Sequence, residues 1–193
     1  MRFLLAPCAA LLLAGCVSLG GAEPPPSLLV LTPQVMAPAG SGASGTGKAA
    51  LTVAEPSAPA RIAVTRVPVQ IDDATVAYLK DAMWVERPTR LFRSLLSETI
   101  TAKTGRIVID GIDSTIRTDQ LLRGTLVEFG YDARTSSVVV RYDAVIDGTD
   151  DAVSTRRFES VIPGVLAEAG PVGEALNRAA NDVAGQVADW MAE

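Results

Sequence analysis

The chain has 193 residues, with 17 Lys+Arg against 22 Asp+Glu, a formal net charge of −5, two cysteines and no histidine. The missing histidine removes Ser–His and Cys–His nucleophilic pairs and mixed Cys/His zinc sites from consideration. An acidic chain without a basic block is poorly suited to nucleic acid, whose binding rests on phosphate neutralisation.

In chain order, the first element is a targeting segment. Arg2 supplies a short positive region and Phe3 to Leu13 an apolar one, too short for the ~20 residues of a spanning helix. It ends in Leu13-Ala14-Gly15-Cys16, which resembles the lipobox of bacterial lipoproteins. That resemblance implies cleavage between Gly15 and Cys16, a signal peptide over 1–15 and acylation of Cys16. One acyl chain holds a membrane marginally and two hold it stably, so a triacylated Cys16 is a permanent anchor. Val17, in place of an aspartate, points by the same resemblance to the outer membrane of a Gram-negative envelope, facing the periplasm. Cys8 leaves with the signal and the Cys16 thiol is consumed, so the mature domain has neither free thiol nor disulfide. Loss of Arg2 leaves 16 cations against 22 anions, a net charge of −6.

Residues 16–26 read as the lipidated N-terminus and a stalk. Gly20-Gly21 and Pro24-Pro25-Pro26 offer nothing to a core, and Val17 to Ser27 could span at most roughly 35–40 Å. The domain proper is expected over 27–193. "SLLVLT", Ser27 to Thr32, is a short strand closed by Pro33. Residues 34–60, rich in Gly, Ala and Pro, read as a surface insert.

Within that insert, Gly42 and Gly47-Lys48 of "GSGASGTGKAA" match the opening of a phosphate-binding loop. Such a loop needs Ser or Thr after the lysine to reach Mg²⁺, and Ala49 follows Lys48. It also needs a strand before and a helix after, whereas Pro38, Pro56 and Pro59 surround this segment. The spacing is a product of composition.

From Arg61 the pattern becomes regular. "RIAVTRVPVQI" is a strand through Ile62, Val64 and Val67, broken near Pro68, and Val76, Tyr78 and Leu79 form a short edge element. Pro88-Thr89 opens a helix with Leu91, Phe92, Leu95, Leu96 and Ile100 on one face and Gly105 at its C-cap. "RIVID", Arg106 to Asp110, is a compact strand. Three strands in an antiparallel meander follow. Strict alternation puts Leu122, Gly124, Leu126 and Glu128 on one face of the first, with Val127, Phe129 and Tyr131 on the other. Val138 to Ile146 and Val153 to Ile162 are the next two strands, joined by polar turns. Val172, Leu176, Ala180, Val183, Val187 and Trp190 or Met191 then mark a long amphipathic helix. The fold expected is α+β, a two-layer domain of about five mostly antiparallel strands with two amphipathic helices on one face.

Little in this chain carries chemistry. The pairs Asp72-Asp73 and Asp150-Asp151 are adjacent, so each splits across strand faces or sits in solvent and makes a poor acid/base pair. "DGTDD", Asp147 to Asp151, lacks the alternating spacing of a calcium loop and reads as a hairpin turn. Ser27 and Lys48 form no catalytic motif, Trp84 and Trp190 suit packing or an interface, and no cofactor motif is present. The expectation is a protein that is not an enzyme.

The ordered set of a lipobox, "SLLVLTP", "RIAVTRVPVQID", "YLKDAMWVERPTRLFRSLLSETI", "LVEFGYD" and a C-terminal helix resembles the ABC-type transport auxiliary lipoproteins, the PqiC-like group. The most specific part is Trp84-x-x-x-Pro88 before the helix bearing Phe92, read as a partner or packing motif. The long Gly-rich segment 34–60 and the region Asp72 to Lys80 depart from the family pattern. The resemblance implies an accessory role beside an ATPase, a permease and a periplasmic MCE-domain (mammalian cell entry) protein, which together move lipids between the two membranes. Three roles fit the residues: a docking module for such a transporter, a periplasmic carrier holding an acyl chain between helices and sheet, and an envelope-assembly lipoprotein without a transporter. A bound lipid and a homo-oligomer are both compatible with the sequence.

Overall fold

The computed structural model describes residues 27–46, 50–110, 118–148 and 152–193. Seven strands and two helices follow in the order β1 (Leu51–Val53), β2 (Arg66–Gln70), β3 (Val76–Met83), α1 (Pro88–Thr104), β4 (Val108–Asp110), β5 (Gln120–Asp132), β6 (Ser137–Asp147), β7 (Val153–Ile162) and α2 (Ala169–Trp190). One sheet holds all seven strands, and both helices pack on the same side of it against each other. The two-layer α+β architecture is the expected one.

The spine of the sheet is β5. Along one edge it pairs antiparallel with β6, which pairs antiparallel with β7, forming the expected meander. Along the other edge lies the chain from β1 to β2, running parallel to it in two pieces: Leu51–Val53 against Gln120–Leu122, then Val69–Gln70 against Tyr131–Asp132. Between the pieces, Ser57 bridges Thr125 and the chain detours through residues 58–65. The far side of β1 pairs parallel with β4. Parallel neighbours need a long crossover, and the chain between β1 and β4 includes α1.

Four sequence expectations are corrected, the last of them at Pro68. Residues 34–60 are not all surface: Leu51 and Val53 are wholly buried in β1. Their three-residue run sits between Ala-rich and Pro-rich stretches, so composition hid it. The strand expected at Ser27–Thr32 is reduced to a single bridge, Leu29 beside Trp84. The alternation assumed for β5 fails at Val127, where the pairing with β6 slips between Leu126 and Glu128. This bulge inserts one residue and inverts the parity after it. Leu122 and Leu126 before the bulge therefore share the buried face with Phe129 and Tyr131 after it.

Pro68, expected to break a strand, lies inside β2. It has no N–H to donate, and the β2–β3 register shifts beside it, with Asp81 of β3 at φ +56°. The first helix behaves as expected. Pro88 occupies its first turn, and Gly105 closes it at φ +66°, with its N–H donating to Thr101 O at 2.9 Å. On α2, alanines 175, 179, 180, 184 and 188 are buried beside Val172, Leu176, Val183 and Val187, and these small side chains let the helix lie close to α1 and the sheet.

An aromatic chain fills the space between the layers. Trp84 meets Phe129 at 5.4 Å between ring centroids, Phe129 meets Phe92 at 6.4 Å, and Phe92 meets Tyr142 at 5.3 Å. Gly124 makes room for Tyr142, since a Cβ there would fall 2.8 Å from the Tyr142 ring and 2.1 Å from Asp143 O.

Candidate functional site

The residues that enter the domain from the N-terminal side form a strap across the helices. Leu29 N–H donates to Met83 O at 2.7 Å, and Leu29 O accepts from Val85 N–H at 2.9 Å. The Leu29 side chain lies over Gly173 of α2, where a Cβ would approach its Cδ2 to 2.6 Å. Further along, Thr32 N–H donates to Asn177 Oδ1 at 2.8 Å and Gln34 N–H to Asn181 Oδ1 at 2.7 Å. Asn181 Nδ2 returns a bond to Thr32 O at 2.9 Å and another to Asn177 O at 2.8 Å. Ala37 N–H then donates to Glu98 Oε1 of α1 at 2.8 Å. The strap is thus buckled to both helices by side chains that satisfy its backbone, which is how a segment without a strand partner stays packed.

Two polar hollows flank this layer arrangement. One, of about 270 Å³, lies where the strap meets the C-terminal ends of the helices, and is lined by Gln34, Thr99, Lys103, Asn181, Asp182 and Asp189. Lys103 Nζ pairs there with Asp189 at 2.6 Å. The other, of about 300 Å³, lies on the sheet face away from the helices, around Arg61, Pro68, Glu128, Gly130, Arg134 and Arg141. Gly130 forms part of its lining, and a Cβ at that position would sit 2.5 Å from Pro68 O.

That open sheet face is a lattice of opposite charges. Arg61 pairs with Glu128 at 2.8 Å, Arg123 with Asp147 at 2.7 Å, Arg157 with Asp143 at 2.5 Å, Arg134 with Asp132 at 2.7 Å, and Arg141 with Glu159. The guanidiniums of Arg134, Arg157 and Arg123 hold the carboxyls of Asp132, Asp143 and Asp147 below the ordinary carboxylate range. Each is a satisfied ion pair in solvent, which orders the face without activating any group.

The sequence candidates fall as follows. Gly15, Cys16, Lys48, Asp150 and Asp151 lie outside the described residues. Gly40 adopts φ +84° in a turn closed by Ser41 N–H to Pro38 O, and the next regular element, at Leu51, is a strand where a phosphate loop would require a helix. Trp84, Pro88 and Phe92 are all buried, Trp84 being only 1% exposed, so the motif is spent on packing the layers. Trp190 packs on Phe158 at 5.6 Å. Asp72 accepts from Ala74 N–H at 2.9 Å, which lowers its pKa, while Asp73 pairs with Arg134, so the adjacent aspartates face different partners. Burial pushes the Tyr142 hydroxyl well up, and it has no hydrogen-bond partner in the core. No group of three His, Cys, Asp or Glu among the described residues is placed to hold a metal ion. No helix among them is long and apolar enough to cross a membrane.

The buckle residues Asn177, Asn181 and Glu98 escaped sequence reasoning. Asn181 falls between the apolar positions Ala180 and Val183 of the last helix, a place that suits a solvent-facing residue, yet it is only 8% exposed. The available signal was its four-residue spacing from Asn177, which puts two amides on one side of the helix.

A family model for the ABC-type transport auxiliary lipoprotein component matches residues 30–188, from the strap to the last turn of α2. The chain belongs to this family. The lipoprotein family assignment associates the chain with the cell envelope and with an ABC transporter. Among solved structures, this auxiliary lipoprotein is similar to protein XCC0632 from Xanthomonas campestris, of family DUF330. The two share 20% identity and a TM-score of 0.68, covering 86% of this chain and 94% of that one. It is also similar to an uncharacterized protein at 13% identity and TM-score 0.65, covering 86% and 99% of the two chains. At these identities the likeness is one of fold. No curated protein matches the chain.

Proposed function

We propose that this auxiliary lipoprotein is a non-enzymatic docking module, anchored in the outer membrane by acylated Cys16 and presented to the periplasm. There it engages the MCE-domain protein of an ABC system that moves lipids across the envelope. Membership of the auxiliary family supports the association with a transporter. The observation that favours docking over carrying is the filled space between the layers. A lipid carrier would hold its acyl chain there, and Trp84, Phe92, Leu95, Leu96, Phe129, Tyr142 and Leu176 occupy it with almost no exposure. A partner is then met by the outer surface, where the charged sheet face is available.

Crosslinking of the full acylated protein in envelopes, followed by identification of the attached chain, tests this reading. Recovery of an MCE-domain protein is expected. Recovery of an outer-membrane assembly complex in its place overturns it. A stoichiometric lipid adduct on the Cys16→Ser protein in native mass spectrometry would instead favour a carrier.

A further inference from the structure

The strap has a second side. Leu29 and Trp84 stand next to each other with both side chains in the core, so their chain neighbours point the opposite way. In that register Leu28 lies beside Met83 and Val30 beside Val85, forming a contiguous apolar patch on the exposed side. Leu28 is 48%, Val30 52% and Val85 47% exposed. Across the next pairing, Met83 is opposite Arg66, whose guanidinium sits 4.0 Å over the Tyr78 ring. The patch is therefore apolar at its centre, with a cation and an aromatic ring on one rim. A half-exposed Leu–Val–Val cluster on an edge is a liability unless something covers it.

We infer that this patch seats on the surface of a lipid bilayer with zwitterionic headgroups. The inference rests on the reading that Cys16 is acylated, and chain length carries it from there. Leu28 follows Cys16 by 12 residues, a contour of at most about 43 Å at ~3.6 Å per residue. The patch is the first part of the domain that the anchored chain reaches, and the tether keeps it at high local concentration over the membrane. Apolar side chains gain by leaving water at the headgroup boundary, and Arg66 and Tyr78 have the amphipathic form that suits it. The mature net charge of −6 opposes an anionic surface, which selects zwitterionic lipid. Seating this patch also fixes the orientation in which the domain stands on the membrane.

The test uses the full acylated protein in phosphatidylcholine–phosphatidylethanolamine vesicles. Val30→Cys and Thr155→Cys proteins each carry one free thiol for an environment-sensitive dye, and Thr155 lies on β7 at the opposite edge of the sheet from β3. Nitroxide quenchers attached to the lipid acyl chains report contact, and intact mass reports acylation. Strong quenching and a blue shift are expected at position 30 and not at position 155. Adding Leu28→Ser and Val85→Ser, both surface changes, is expected to reduce quenching at position 30 to the Thr155→Cys level. An acylated protein whose position 30 is quenched no more than position 155 overturns the bilayer contact and leaves the anchor standing. Quenching that survives the two serines assigns the signal to tether proximity and also overturns it. A mass without acyl chains overturns the anchor reading and this inference together.

Discussion

Replacing Asn181 by Ala separates the strap from the fold it lies on. The side chain holds two strap groups, Gln34 N–H at 2.7 Å and Thr32 O at 2.9 Å. Each bond is worth a net 0.5–1.5 kcal/mol, so the strap loses about 1–3 kcal/mol of local stability. At 1.4 kcal/mol per decade, the opening equilibrium rises roughly 5- to 150-fold. The loss stays local because the freed backbone groups can turn to water, and Leu29 and Ala37 remain tied to Met83 and Glu98. Alanine is also the better helix former at that position by about 0.5 kcal/mol, which offsets part of any global cost. Hydrogen exchange by mass spectrometry reads the outcome directly. Amides of residues 30–36 should exchange faster by that factor, while those of β5 and β6 change little and the melting temperature moves by only a few degrees. Unchanged strap exchange with a full drop in melting temperature would refute the reasoning, because the strap would then open only with the whole domain. The Glu98→Ala change should extend the faster exchange to Ala37, whose N–H it releases.

Two further outcomes follow from the sheet. Gly124→Ala sets a Cβ against Asp143 O and the Tyr142 ring, and a backbone atom cannot move aside, so a cost of about 3 kcal/mol and a melting temperature roughly 6–12 °C lower are expected. Gly185→Ala within α2 meets only the Lys103 ammonium, at 3.9 Å, and should stabilise by about 0.5–1 kcal/mol, which checks that the effect is steric. In acid, Asp132, Asp143 and Asp147 have folded pKa values below their unfolded ones, so their contribution is present above the ordinary carboxylate pKa of about 4 and is lost as pH falls through the lower folded values. Melting temperature should hold from pH 7 to 5 and fall below pH 4. The Arg157→Gln protein should show a shallower acid limb, because Asp143 then keeps a more ordinary pKa.

Where local patterns and tertiary demands coincide, the sequence was sufficient. The helical spacing of Leu91, Phe92, Leu95, Leu96 and Ile100 between Pro88 and Gly105 defined α1 with both its ends, because propensity, capping and burial all point the same way there. The alternation of β6 and β7 and the stripe of α2 were legible for the same reason. The ordered motifs were enough to indicate the family, although Trp84, Pro88 and Phe92 themselves turn out to be packing residues.

Other features depend on pairings between distant residues and leave no periodic trace. The β5 bulge at Val127 cannot be read from β5 alone, since only its register with β6 reveals the extra residue and the consequent change of face for Phe129 and Tyr131. Leu51–Val53 is too short for a period and is a strand only because β4 and β5 flank it. Thr32 and Gln34 of the strap are held by amides 145 or more residues away, so Ser27 to Thr32 looks like an isolated apolar run until α2 is in place. The sequence by itself determined the helices and the meander, because each is encoded in neighbouring residues. Only the tertiary structure decided which faces are buried and how the strap lies, because those depend on contacts that neighbours in the chain do not make.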